Sequence, residues 1–256
     1  MNRQIRLYAL GALVAAGLVV LPTVASADVI AIANSSFESA VNLSDGAGWE
    51  AGPADSGYGV WQHPDPSANG ATDGTTIMWA PGFGEGNDPH PKEDGPLYQT
   101  TGHIIAPGET FSLTFDASSY TLGMGWSATL YYLDGVTRVP LVTATFADPD
   151  GDRADVERYT VSTLGGASGI DLSYNGAVWV EGAATAWTQG SPTVVLGVPF
   201  AQAIGRPLGV EFIANTTGLG LHLDNVHLTS TPGVPEPLTM SLLGLGGLAL
   251  LYRRKR

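Results

Sequence analysis

The sequence predicts an all-β protein: a single jelly-roll β-sandwich, flanked by a signal peptide and a short C-terminal transmembrane helix. Three observations carry that expectation. Short runs of alternating apolar and polar residues recur along the middle of the chain. Gly, Pro, Asp and Asn separate those runs, within a total of 34 Gly and 17 Pro in 256 residues. Between the two ends, no stretch keeps a helical period for more than about two turns. Many short strands with turn signals between them are the pattern of a sandwich. The roughly 200 residues available suffice for a core without disulfides, which suits a chain that has no Cys.

Residues 1–27 open with Arg3 and Arg6, continue as an apolar run from Leu7 to Val20, and end at Ala25-Ser26-Ala27. A basic start, a short apolar segment and a small-residue cleavage site form a secretory signal, and the run is short for a spanning helix.

The body, 28–230, starts with a strand at Val29–Ala33. Further strands are expected at Thr75–Ala80, Leu97–Thr100, Thr110–Asp116, Trp126–Leu133, Val139–Phe146, Val156–Val161, Ala177–Val180, Thr193–Val198, Leu208–Ala214 and Leu219–Leu228. Thr110–Asp116 shows the logic best: alternation puts Phe111, Leu113 and Phe115 on one face, and Pro107-Gly108 supplies the turn before it. Gly48–Pro96 reads as the main non-strand region, and Trp49 and Trp79 within it read as core.

After Ser230-Thr231-Pro232-Gly233 comes Val234-Pro235-Glu236-Pro237, then an apolar stretch 238–252, then the basic end 253–256. The prolines stop any strand, and the cations hold the end of a short helix on the cytoplasmic side. At 1.5 Å per residue the helix spans about 22 Å of a bilayer core roughly 30 Å thick, which suits a temporary anchor.

Charge narrows the function. The chain has 11 Lys and Arg against 24 Asp and Glu, and six of the cations sit in the two ends. Residues 28–230 keep five basic residues against 23 acidic ones, a net charge of −18. Such a surface argues against nucleic-acid binding and repels anionic polymers unless divalent cations mediate the contact. It makes calcium a reasonable partner, the alternative being an acidic surface with no specific ligand. The absence of Cys excludes thiol nucleophiles and Cys-ligated metals.

Among candidate sites, Asp148, Asp150, Asp152, Asp155 and Glu157 cluster densely. Arg153 stands where an EF-hand needs Gly, and Pro149 with Gly151 fits a plain surface turn equally well. The five histidines (His63, His90, His103, His222 and His227) form no His-Glu-x-x-His motif. Gly166-Ala167-Ser168-Gly169 lacks the spacing of a serine elbow, and no Gly-rich stretch is followed by a P-loop Lys. In the aromatic region Gly48–Pro96, Tyr58 and Trp61 stand beside Gly57, Gly59, Gln62 and His63. Aromatic faces stack on sugar rings, so these two are the candidate glycan contacts. The alternative is an aromatic lid over one end of the sandwich.

The Val-Pro-Glu-Pro motif, Gly- and Leu-rich helix and terminal Arg cluster resemble the PEP-CTERM sorting signal. That resemblance implies Pro235, Glu236, Pro237, Arg253 and Arg254 as features recognised by an exosortase-type processing enzyme. It also implies export through the inner membrane of a Gram-negative bacterium, transient anchoring, and release to the cell surface or exopolysaccharide matrix.

In the body, Asn34-Ser35-Ser36-Phe37-Glu38, Gly48-Trp49, the run Ile105–Asp116 and the closing Leu223-Asp224-Asn225-Val226 resemble galactose-binding-like jelly rolls of carbohydrate-binding modules. The resemblance implies adjacent first and last strands and a structural calcium ion ligated by Glu38 and Asp224. The alternative is that Glu38 accepts backbone N–H bonds and Asp224-Asn225 forms a bulge. The function expected is a non-catalytic, structural or glycan-binding surface protein. A secreted polysaccharide hydrolase and a calcium-dependent matrix adhesin are the rivals.

Overall fold

The computed structural model describes residues 26–39, 48–51, 59–62, 64–66, 70–80, 96–119, 125–147, 156–164, 166–184, 193–196, 200–214 and 221–233. The strands in chain order are β1 (Asp28–Ile30), β2 (Glu50–Ala51), β3 (Gly59–Gln62), β4 (Thr76–Ala80), β5 (Leu97–Ile104), β6 (Thr110–Ser119) and β7 (Gly125–Asp134). They continue as β8 (Thr137–Ala147), β9 (Val156–Ser162), β10 (Gly166–Tyr174), β11 (Trp179–Ala184), β12 (Thr193–Leu196), β13 (Pro207–Ala214) and β14 (Leu221–Thr231). An eight-stranded sheet runs β11-β10-β9-β6-β14-β4-β3, with β1 also pairing β14, and a six-stranded sheet runs β12-β8-β7-β13-β5-β2. Every pairing is antiparallel. The all-β sandwich is therefore what forms. The first and last strands are neighbours, with Asp28 opposite Ser230.

Alternation builds the core between the sheets. Phe111, Leu113, Phe115 and Ala117 of β6 are buried against Trp126, Leu130, Phe146, Tyr159 and Phe212. Phe115 sits at the centre, with ring centroids 5.0 Å from Phe212, 5.3 Å from Trp126 and 5.4 Å from Tyr159. Trp126 stacks on Phe146 at 4.3 Å. Trp49 belongs to this core, as expected, and lies 5.4 Å from Phe37. On the outer face of the six-stranded sheet, Gly209 leaves room for Tyr131: a Cβ there would lie 2.2 Å from the ring.

Several elements differ from expectation. Gly48–Pro96 contains β2 and β3 as well as β4. β10 was not expected, because Gly, Ser and Asp are poor strand formers; pairing with β9 and β11 on both sides supplies what propensity lacks. Expected at Ala177–Val180, β11 instead begins at Trp179, because Asn175 Oδ1 accepts the N–H groups of Ala177 and Val178 in the preceding turn. Among the described residues, no helix is long and apolar enough to cross a membrane. The signal segment, the stretch 238–252, the sorting residues Pro235, Glu236, Pro237, Arg253 and Arg254, Tyr58 and the acids at 148–155 lie outside the described residues.

Candidate functional site

On the outer face of the eight-stranded sheet, register brings three charged side chains into one row. Asp116 of β6 is the pairing partner of Arg158 on β9 and of Asp224 on β14. Alternation that sends Phe115 and Ala117 into the core sends Asp116 and Ser118 to this opposite face. Both carboxyl groups are nevertheless buried, each residue being only 1% exposed. Their cover is the segment 70–76, which bonds to the row beneath it.

Thr72 is the centre of that cover. Its hydroxyl donates to Asp116 Oδ2 at 2.6 Å and lies 3.3 Å from Asp224 Oδ2. The backbone N–H groups of Thr72 and Asp73 donate to Asp224 Oδ2 at 2.7 and 2.9 Å. Trp179 Nε1 donates to the Ala71 carbonyl at 2.6 Å, tying the same segment to β11. Glu38 holds its far end: Oε1 accepts the N–H groups of Thr75 and Thr76 at 2.8 and 2.6 Å. Gly74, at φ +85°, has its Cβ direction 2.4 Å from the Glu38 carboxyl, so a side chain there meets both strain and a clash.

The two acids are treated differently by their surroundings. Asp116 takes a forked ion pair from Arg158, Nε to Oδ1 at 2.7 Å and Nη2 to Oδ2 at 2.9 Å, plus a bond from Asn225 Nδ2 at 2.9 Å. Arg158 Nη1 also reaches Glu181 at 2.8 Å, and its bond to Asp116 holds the guanidinium firmly charged. Among the described residues Asp224 has no cationic partner: besides the Thr72 hydroxyl it receives three backbone N–H groups, the third from Asn225 at 2.7 Å. Burial pushes its carboxyl up to about 8, the Asp116 charge adds to the rise, and the three N–H bonds offset only part of it. At neutral pH Asp224 therefore carries a proton, inside the protein and beside a charged partner.

A bulge makes this possible. The β14–β6 register shifts between Asp224 and His227, with Asn225 at φ +51°, a left-handed conformation Asn tolerates better than most residues. Beside the acids, half-buried Trp179 and Tyr174 lie on the same face, rings 5.4 Å apart. A buried carboxyl, a bridging hydroxyl and a pair of aromatic rings stand together.

Glu38 and Asp224, the residues expected as calcium ligands, both bond the segment 72–76 through backbone N–H groups, Asp224 at Thr72 and Asp73 and Glu38 at Thr75 and Thr76, with a bulge after Asp224. Among the described residues, no group of three or more His, Cys, Asp or Glu is placed to hold a metal ion. Trp61 lies on β3, its backbone paired with Ile77 of β4. Of the expected cluster around Asp148, Glu157 is buried and accepts a bond from the Tyr159 hydroxyl at 3.1 Å. Sequence reasoning missed Thr72, Asp116 and Arg158 as site residues. The available signal was Asp116 itself, an acid on the polar face of the strand most clearly patterned for the core.

A search of curated proteins finds no match. Among solved structures, the chain is similar to the Stig cyclase Fisc from Fischerella sp. TAU, at 18% identity and a TM-score of 0.49, covering 82% of this chain and 100% of that one. It is similar to TmCBM61, solved with β-1,4-galactotriose, at 12% identity and a TM-score of 0.40, covering 78% and 97%. A putative sugar binding protein from Bacteroides thetaiotaomicron VPI-5482 shows 14% identity and a TM-score of 0.46, covering 78% and 98%. The family model HpiC1-like, described as HpiC1 cyclase, matches residues 28–229. This match corrects the expectation of a non-catalytic body, which rested on the lack of a familiar catalytic motif: the chain belongs to the HpiC1-like cyclase family.

Proposed function

We propose that the body is a cyclase in which Asp224 donates a proton to a small unsaturated substrate bound beside Trp179 and Tyr174. One observation carries the reading: two buried carboxyl groups share the Thr72 hydroxyl, while the guanidinium in the row is forked onto Asp116 and not onto Asp224. Like charges this close do not both ionise at low cost, so the unpaired member keeps its proton. Donation from Asp224 to a carbon–carbon double bond leaves a carbocation, ring closure forms a new carbon–carbon bond, and loss of a proton back to the Asp224 carboxylate ends the cycle. The product is an isomer of the substrate. The Trp179 face favours the cationic intermediate, and Asp116, fixed by Arg158, holds Thr72 in place.

The test is incubation of the full chain with a panel of acyclic alkenyl-indoles and polyenes, read by mass spectrometry for products of unchanged mass. 4-(1H-Indol-3-yl)butan-2-one, a ligand of a Fischerella cyclase structure, serves as the binding probe. An isomeric product lost in Asp224→Asn supports the proposal. Conversion that persists in that variant overturns it.

Export and PEP-CTERM sorting through Pro235, Glu236 and Pro237 complete the proposal, placing this activity at the cell surface or in the matrix. A second reading, glycan binding at Tyr58 and Trp61, is favoured by the position of Trp61 on β3, at the edge of the sheet two strands from Asp224.

A further inference from the structure

One end of the sandwich combines exposed aliphatic side chains with both exits of the chain. Val136 at the β7–β8 hairpin tip is 96% exposed, Leu164 in the β9–β10 turn 76%, and Ile104 at the end of β5 53%; Ile204, before β13, is also exposed. Bonds between the turns place them at the same end. Asp134, at the base of the β7–β8 hairpin, pairs with Arg206 at 2.9 Å. Ile104 is opposite Pro207, and the Ile105 N–H donates to the Arg206 carbonyl. Thr163 donates its N–H to the Phe111 carbonyl, which brings the β9–β10 turn to the start of β6.

Both termini of the body leave here. Thr231 is opposite Thr110, and Gly233 packs so tightly on Gly108 that a Cβ would lie 2.6 Å from its backbone. Asp28 is opposite Ser230. The apolar run Leu7–Val20 therefore precedes, and the apolar stretch 238–252 follows, chain that meets the body at this end. Polar groups at this end are largely partnered: Asp134 pairs with Arg206, and Glu109 lies 3.1 Å from the His103 ring nitrogen and accepts the Ala106 N–H at 2.6 Å. The acid-rich stretch 148–155 joins β8 to β9 at the other end, where Ala147 is opposite Gly125.

We infer that this end of the sandwich lies against a lipid bilayer, with Val136, Leu164, Ile104 and Ile204 entering its interfacial layer. Scattered exposed aliphatics are ordinary, but aliphatics gathered where the chain leads into an apolar segment form an anchoring surface. The acid row at Asp116 and Asp224 lies farther along β6 and β14, so docking leaves the candidate site clear of the membrane. The inference does not depend on the cyclase reading.

The absence of Cys permits a clean test. Single-cysteine full-length chains Val136→Cys, Leu164→Cys and Val178→Cys are labelled with an environment-sensitive fluorophore. They are placed in phosphatidylethanolamine–phosphatidylglycerol vesicles containing a lipid-borne spin quencher. Val178, exposed in the β10–β11 turn, is the control at the other end. The expected result is a blue shift and strong quenching at positions 136 and 164, several-fold greater than at 178. Equal quenching at all three, or none at 136 and 164, overturns the inference, since a body merely tethered by its tail keeps all labels in water. Activity is read on the same samples; its loss leaves the quenching result unchanged in meaning.

Discussion

Asp224 makes a pH-dependent contribution to stability opposite in sign to that of a salt-bridged carboxylate. Burial raises its folded value to about 8 from an ordinary 3.8. Between those limits the folded chain holds one proton more than the unfolded chain, so stability falls as pH rises through the window and levels off above about 8. At 1.36 kcal/mol per unit, the whole window corresponds to about 6 kcal/mol, and the step from pH 5 to pH 7 to about 3 kcal/mol. The perturbation is Asp224→Asn, which keeps the shape and removes the titration. The assay is urea unfolding of both proteins at pH 5, 6, 7 and 8, taking the difference at each pH so that all other groups cancel. Wild type is expected to lose about 3 kcal/mol more than the variant between pH 5 and 7. A difference that stays flat across that range refutes the buried neutral acid.

The remaining predictions concern the same row, its cover and the core. Arg158→Ala strands Asp116 as a buried charge and is expected to lower stability by about 3 kcal/mol in urea unfolding at pH 7. Gly74→Ala pushes a Cβ into the Glu38 carboxyl at a left-handed backbone position and is expected to cost about 2 kcal/mol, whereas Glu38→Ala combined with it costs less than the sum. Gly209→Ala drives into the Tyr131 ring and is expected to cost about 1–3 kcal/mol, visible as a changed tyrosine near-UV circular dichroism signal. Calcium ligation by Glu38 and Asp224 competes with proton donation, because a ligated carboxylate does not also hold the proton. The proton-donor account expects the same thermal midpoint in calcium and in chelator, and a rise with calcium supports ligation instead. Trp61→Ala tests the glycan reading on an array: binding present in wild type and lost in the variant supports it.

Much of the fold was legible because its signal is local. Thr110–Asp116 states its inward face in seven residues, and the strands expected around it match the two sheets closely. β2 and β3 escaped because they are only two and four residues long, and β10 because a strand of Gly, Ser and Asp forms through its neighbours. The site was half legible. Glu38 and Asp224 stood out from their motifs, and both bond the same short segment, one at each end. Their partners did not, because the contacts that define them are distant in the chain: Thr72 reaches Asp224 across 152 positions and Arg158 reaches Asp116 across 42. A carboxyl shifted by burial has no spacing rule, since what changes Asp224 from an ordinary carboxylate is burial beneath the segment 70–76. The non-catalytic expectation rested on the lack of a familiar catalytic motif, and the family match over residues 28–229 overturned it.

Titration of Asp224 itself tests the central claim most directly, and it needs no substrate. With aspartate labelled by carbon-13 at the side-chain carboxyl, NMR spectra from pH 3 to 10 follow each group separately. The account predicts one resonance that titrates near 8 and is missing in Asp224→Asn. An Asp224 resonance that has fully ionised by about pH 5, as an ordinary carboxylate does, contradicts it.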